Sequence, residues 1–201
     1  MSPRLKPHTL ILGLCFLLAA CYSNKDPDLY VLNPKPFNVS LQKKSQHILI
    51  GIDSVSLPQY LDNPQLMIFT TPHQSNLDEY HQWAEPLSSN IQRVLQTNLN
   101  NSLHGAAIEV APWSSDFYPQ YHLRVEISEF KVDKQGNSML RAMYTIETDN
   151  KVVHQYQIQL YEKLTVVTPT TIVLSMNNLV NQLSDKIAAS FAHELGSRPQ
   201  S

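Results

Sequence analysis

Apolar and polar positions alternate in three consecutive stretches of the second half of the chain. In residues 121–127, 140–146 and 152–160, nearly every second side chain is apolar, which is typical of strands with one buried face. Short polar turns containing Gly136 and Asn150 connect these stretches. The pattern therefore predicts an antiparallel meander with one face in solvent.

The first half of the chain contains three further strand candidates. Residues 47–55 form the clearest one, and residues 29–32 and 66–69 form shorter ones that end near prolines or polar residues. The buried face of the clearest strand comprises Ile48, Ile50 and Ile52.

Two segments instead repeat apolar residues every three or four positions, as amphipathic helices do. The first stripe comprises Leu87, Ile91, Val94, Leu95 and Leu99, extended by Trp83 and Leu103. Pro86 suits the first turn of this helix, and Gly105 is a plausible stop. The second helix is predicted over residues 171–195, with Gly196 and Pro199 at its end. Its stripe comprises Leu179, Val180, Leu183, Ile187, Phe191 and Leu195. The expected fold is therefore α+β, with both long helices on one face of an antiparallel sheet.

The amino terminus resembles a bacterial lipoprotein signal. Arg4 and Lys6 precede an apolar run, residues 10–20, that is too short to span a bilayer comfortably. The run ends in Leu-Ala-Ala-Cys, so we expect acylation of Cys21 and cleavage between Ala20 and Cys21. The alternative is an ordinary secretory peptide followed by an incidental cysteine. Cleavage would remove the other cysteine of the chain, so no internal disulfide could form.

The expected organisation is one domain behind this leader. Residues 1–20 form the signal peptide, 21–28 a lipidated tether, 29–196 a single periplasmic domain and 197–201 a loose tail. The formal charge is −2 and becomes −4 without the two basic residues of the leader, so nothing favours nucleic-acid binding. The five glycines are widely spaced, which excludes glycine-rich phosphate loops.

Catalytic and metal-binding patterns are weak. None of the spacings typical of serine hydrolases, zinc proteases or thiol redox enzymes occurs. His81 follows Asp78 and Glu79, which could form a weak metal site but is more typical of a solvated loop. Asp53 has no partner base in sequence, and the remaining candidates are an outward-facing and an inward-facing strand histidine, His122 and His154. We therefore predict no enzyme, no cofactor and no metal.

Three residues are the candidates for binding a protein partner. Tyr60 and Leu61 lie in a loop between Pro58 and Pro64, outside any strand or helix periodicity, which favours an exposed contact. Trp83 precedes the first helix, where packing at the helix start is the main interpretation and partner binding the alternative.

Several motifs together resemble the auxiliary lipoproteins of ABC-type and MCE-type intermembrane transport systems. The matching residues are Cys21, Tyr30-Val31-Leu32, Ile50-Gly51-Ile52, Val55, Leu57-Pro58, Tyr60-Leu61-Asp62, Pro64-Gln65-Leu66, Trp83-Ala84-Glu85-Pro86-Leu87, Arg93-Val94-Leu95 and Asn98-Leu99.

The resemblance implies a non-catalytic accessory subunit, anchored by its acyl chains in the outer membrane and facing the periplasm. Its partner would be an MCE-domain or ABC-type transport protein that moves lipid between the membranes. Absence of aspartate directly after Cys21 is, by the same resemblance, typical of export to the outer membrane. Two alternatives stay open: a structural or regulatory lipoprotein of envelope assembly, and a lipoprotein hydrolase.

Overall fold

The structure is a computed structural model that describes residues 26–36, 48–148 and 151–197. The predicted leader, Cys21 and residues 198–201 lie outside these ranges. In chain order the elements are β1 (Asp28–Tyr30), β2 (Ile48–Ser56), a 3₁₀ turn (Gln59–Leu61), β3 (Gln65–Thr71), β4 (Gln74–Trp83), α1 (Leu87–Ser102), β5 (Ala106–Val110), β6 (Tyr121–Val132), β7 (Asn137–Thr148), β8 (Lys151–Lys163) and α2 (Pro169–Ser197).

The main sheet has five strands in the order β5-β2-β6-β7-β8. Its second half is the predicted meander, because β6, β7 and β8 pair antiparallel in sequence order. The central strand β2 pairs parallel with both β5 and β6, so the sheet is mixed. Strand β5 is absent from the sequence prediction, since its five residues are too few to show a period.

A second sheet of three strands, in the order β1-β4-β3, lies beside the first. Strand β4 contains Asp78, Glu79 and His81, so the expectation of a solvated loop there is wrong. The sequence does not predict this strand, because most of its residues are polar and lack a regular apolar alternation. The buried side chain of β4 is Trp83, at its end.

Both helices cover the same face of the main sheet, and the α+β prediction is confirmed. Their predicted stripes are buried from Leu87 to Leu99 in α1 and from Leu179 to Phe191 in α2. They meet inward-facing strand residues such as Ile50 in one continuous apolar core. Within the described ranges, no helix combines the length and apolarity that crossing a bilayer demands.

Truncation of one core leucine measures how far the fold depends on the contact between α1 and the sheet. Leu95 is fully buried, so Leu95→Ala should lower the free energy of unfolding by about 2–5 kcal/mol. Leu174 on α2 is 58% exposed and is the matched control. Leu174→Ala should leave the urea midpoint nearly unchanged; equal midpoints for the two variants would contradict the assignment of the core.

Candidate partner-binding site and the strap beside it

The segment that follows β1 lies against both helices and forms neither a helix nor a strand. We call residues 31–36 the strap. Leu32 of the strap is fully buried in the core, and prolines at positions 34 and 36 exclude a helix or a central strand. Its backbone N–H groups therefore need acceptors other than a neighbouring strand.

Asparagine side chains of the helices supply these acceptors. The N–H of Leu32 donates to Oδ1 of Asn90 at 3.1 Å, and the N–H of Lys35 donates to Oδ1 of Asn98 at 2.8 Å, both on α1. The N–H of Asn33 donates to Oδ1 of Asn177 on α2 at 2.6 Å. The strap is thus bound to both helices at three successive points.

Asn98 also joins the two helices directly. Its Nδ2 donates to Oδ1 of Asn181 at 2.7 Å and to Oγ of Ser184 at 3.1 Å. The side chain is 2% exposed, so these bonds form where water cannot replace them. Asparagine is a weak helix former, and its presence on the buried face of α1 is explained by these bonds.

Arg93 completes the attachment on the exposed side of α1. Its Nη2 donates to the carbonyl oxygen of Leu32 at 3.0 Å and pairs with Oε1 of Glu85 at 2.8 Å. The same nitrogen lies 3.0 Å from Oδ1 of Asn90. An ion pair between Lys35 and Asp185 adds a further link to α2.

The three predicted partner-binding residues converge on one shallow cleft beside this attachment. Tyr60, Leu61 and Trp83 line it, although they come from the 3₁₀ turn and from the end of β4. The other lining residues are Gln65, Leu66, Met67, Leu87, Phe130, Lys131, Val132 and Met176. The space enclosed is about 10 Å³, which admits roughly one water molecule and no lipid chain.

Burial separates the roles of these three residues. Leu61 is 6% exposed, so the expectation that it forms an exposed contact is wrong: the 3₁₀ turn rotates it into the core. Trp83 is 7% exposed and packs at the start of α1. Its backbone N–H donates to the carbonyl oxygen of Pro64 at 2.7 Å. Only Tyr60 reaches solvent, at 37% exposure.

The ring of Tyr60 packs against a neighbouring aromatic ring of β3. Its ring lies edge-on to Phe69 with 6.1 Å between the ring centroids. Partial burial raises the pKa of its hydroxyl above the usual value, and the Glu129 carboxylate acts in the same direction. The hydroxyl is therefore neutral at physiological pH, and the cleft offers a partner a fixed, uncharged aromatic side chain.

The histidine and carboxylate candidates are paired with each other rather than grouped around a cleft. Asp53 lies at the bulge of β2, and its Oδ1 is 2.9 Å from Nδ1 of His122 on β6. This pair was not predicted, because the parallel pairing of β2 with β6 was not. Trp113 lies against His122, with 5.6 Å between the ring centroids, and packs on Gly51, where an added Cβ would come within 2.7 Å of the indole.

The other two candidate histidines, His81 and His154, also have carboxylate neighbours. Nδ1 of His81 lies 2.9 Å from Oδ2 of Asp78, and Nε2 of His154 lies 2.9 Å from Oε2 of Glu194 on α2. In the part of the chain that the structure describes, no three histidine, cysteine, aspartate or glutamate residues are placed to hold a metal ion.

Comparison with protein families identifies the class. The model of the ABC-type transport auxiliary lipoprotein component matches residues 30–188, from the end of β1 to the last third of α2. The chain belongs to this family. The matched region contains the strap, the cleft, α1 and the first two thirds of α2. No curated protein matches the chain.

Solved structures share the fold at low sequence identity. A crystal structure of an uncharacterized protein matches with a TM-score of 0.70 and 20% identity, over 83% of this chain and 99% of the other. Protein XCC0632 from Xanthomonas campestris, assigned to the family model DUF330, matches with a TM-score of 0.65 and 14% identity, over 80% and 92%.

Removal of the Asn98 amide tests the attachment of the strap. Asn98→Ala leaves the N–H of Lys35 and the side chains of Asn181 and Ser184 without this partner, and should lower the free energy of unfolding by about 1–3 kcal/mol. Asn100 is the control, since it lies exposed at the end of the same helix. Thermal unfolding checks both variants: Asn100→Ala should match the parent, and an Asn98→Ala variant as stable as the parent would contradict the proposed role of the amide.

Proposed function

We propose that this protein is a non-catalytic accessory subunit of an MCE-type or ABC-type intermembrane lipid transport system. It is anchored by acyl chains on Cys21 in the outer membrane, faces the periplasm and acts by binding the periplasm-spanning partner. The observation that carries the proposal is the family match over residues 30–188, which begins at the end of β1 and leaves a short stretch between the matched domain and Cys21.

The length of that stretch keeps the domain close to the membrane. Six residues separate Cys21 from Asp28, the first residue of β1, and the seven steps from one Cα atom to the next span at most about 25 Å. The strap then continues directly from β1 onto both helices. Two or three acyl chains would hold such an anchor stably, at about 0.8 kcal/mol per buried CH₂ group.

Binding, rather than lipid storage, is the action that the cleft supports. Its enclosed space is far below the ~300 Å³ at which small-molecule sites begin. Tyr60 is instead suited to a protein contact: an aromatic ring on a short turn loses little conformational entropy when a partner covers it, because Pro58 and Pro64 already restrict the loop. Leu61 and Trp83 line the same cleft and are buried, so they are not available for this contact.

The anchor is tested by replacing Cys21. Cys21→Ser removes the acylated thiol, so the protein should lose its membrane attachment and leave the outer-membrane fraction. Fractionation of cells with an antibody to the domain measures this. If the Cys21→Ser protein still fractionates with the outer membrane after a salt wash, another part of the chain provides the attachment and the proposal for Cys21 is wrong.

The partner surface is tested by truncating Tyr60. Tyr60→Ala should weaken capture of the MCE-domain partner by about thirtyfold, which corresponds to about 2 kcal/mol, with little change in melting temperature. Tyr118 is the control, because it is 76% exposed and lies on the loop between β5 and β6. Tyr118→Ala should bind the partner normally.

Two other results would count against the proposed surface. Equal capture by the Tyr60→Ala and parent proteins means that the partner binds elsewhere. Melting lowered in step with capture means that Tyr60 supports the fold. Crosslinking in cells that recovers an envelope-assembly enzyme and no MCE-domain protein would instead favour the structural or regulatory function.

A further inference from the structure

The three-stranded sheet has one side toward the core and one side away from it. Leu66 and Trp83 are 1% and 7% exposed and belong to the core, and Tyr30 packs against it. The ring of His81 lies 5.9 Å from that of Tyr30, so His81 is on the same side. Since side chains alternate along a strand, the residues next to these point away from the core. We call that side of the sheet the outer face.

Three large apolar side chains are exposed on the outer face: Leu29 at 63%, Leu77 at 48% and Tyr80 at 54%. Leu29 lies opposite Gln82 in the pairing of β1 with β4, and Leu77 lies opposite Met67 in the pairing of β4 with β3. Single exposed apolar residues are ordinary on a protein surface. Several on one face of a small sheet form a patch that is typical of a contact surface.

The outer face carries little charge. Strands β1, β3 and β4 contain no lysine or arginine. Of their three carboxylates, those of Asp28 and Asp78 lie beside His81, at 3.6 and 2.9 Å from its ring nitrogens, which leaves Glu79. A contact made by this face therefore depends on burial of apolar area rather than on attraction between charges.

The same sheet contains the first strand after the tether. Leu29 is eight residues after Cys21, so its Cα atom lies within about 28 Å of that of the cysteine. Acyl chains on Cys21 would hold the cysteine at the membrane surface. A tether of this length keeps the sheet at an effective concentration in the millimolar range relative to that surface, at which weak apolar contacts persist.

We propose that the outer face lies on the surface of the membrane that holds Cys21. Leu29 and Leu77 enter the boundary between headgroups and acyl chains, as the apolar face of an interfacial helix does. Tyr80 lies at the level of the headgroups, where its ring is in contact with lipid and its hydroxyl with water. The inference rests on the proposed anchor at Cys21 and adds the orientation of the domain to it.

This orientation leaves the proposed partner surface accessible beside the membrane. Phe69, on which Tyr60 packs, lies opposite Ser75 near the turn between β3 and β4. Leu29 lies opposite Gln82, at the other end of β4. Tyr60 is therefore at the border of the outer face, and a protein that covers Tyr60 would be held next to the bilayer.

Quenching by brominated lipid tests the orientation. The mature chain, residues 21–201, has one thiol when it is prepared without acylation, because Cys15 lies in the leader. Coupling Cys21 to a maleimide lipid in phosphatidylcholine vesicles attaches the domain through its own tether. Bromine atoms on the acyl chains quench a tryptophan that enters the boundary region and leave a tryptophan in water unquenched.

Leu77→Trp and Tyr80→Trp each place an indole on the outer face. We expect brominated lipid to reduce the fluorescence of each added tryptophan by about twofold, because an interfacial side chain reaches the first part of the acyl chains. The parent protein, with Trp83 and Trp113, gives the background that is subtracted.

Tyr118→Trp is the matched control, because Tyr118 is 76% exposed and lies at the opposite end of the domain. It precedes Tyr121, the first residue of β6, whereas the three-stranded sheet meets the other end of β6 through the bridge between Phe69 and Asp133. Twelve residues of strand span about 40 Å. Tyr118→Trp should therefore show no quenching above that of the parent.

A charge on the outer face should separate it from the bilayer. In the Tyr80→Trp protein, Leu29→Glu should abolish the quenching, because a carboxylate is costly to bury among acyl chains. Val152→Glu adds the same charge at a residue of β8 that is 59% exposed, and should leave the quenching intact. High salt should also leave it intact, since no basic side chain of the sheet takes part. Circular dichroism checks that each variant is folded.

Three results would overturn the proposal: quenching of Leu77→Trp and Tyr80→Trp no greater than that of Tyr118→Trp, quenching that persists with Leu29→Glu, or quenching that high salt removes. If one tryptophan variant does not fold, the other decides. The maleimide lipid supplies the attachment in this experiment, so these results do not bear on acylation. The anchor itself is decided separately, by the fractionation of the Cys21→Ser protein.

Discussion

Buried side-chain amides hold the two helices and the amino-terminal strap in one arrangement. Asn98 bonds at once to the backbone of the strap, to Asn181 and to Ser184. Asn90 bonds to the backbone of Leu32, next to Arg93. A buried amide without partners destabilises a fold, whereas one that is bonded at both its oxygen and its nitrogen, as Asn98 is, permits few alternative packings. The amides therefore join the two helices to each other and to the strap.

The cleft depends on the same arrangement. Tyr30 accepts a hydrogen bond from the N–H of Ala84 at 2.9 Å, so the strand that precedes the strap is joined to the start of α1. The backbone N–H of Trp83 donates to the carbonyl oxygen of Pro64, which follows the 3₁₀ turn. These two hydrogen bonds position the turn that presents Tyr60. The family motifs that contain Tyr30, Pro64 and Trp83-Ala84 are separated in sequence and are thus neighbours in space. Their common task in the fold is to connect the amino-terminal segment, the helices and the cleft.

The sequence predicts the apolar part of this structure well. The stripes of α1 and α2 and the meander follow from regular periods, and burial confirms them. Leu61 and strand β4 were missed for a physical reason: a 3₁₀ turn buries one residue of a polar loop, and a strand with polar residues on both faces shows no alternation. The acceptors of the strap could not be predicted either, because an asparagine that bonds across 58 or 63 residues resembles a solvated one in sequence.

Amide hydrogen exchange tests most directly whether the strap is bound as described. The N–H groups of Leu32 and Lys35 should exchange slowly in the folded protein, at rates close to those of the interior of α1, because asparagine side chains accept their bonds. In the Asn98→Ala variant the amide of Lys35 should lose this protection. Exchange of both amides in the parent at the rate of an exposed, unbonded chain would contradict the central claim, that buried asparagines bind the strap to the helices.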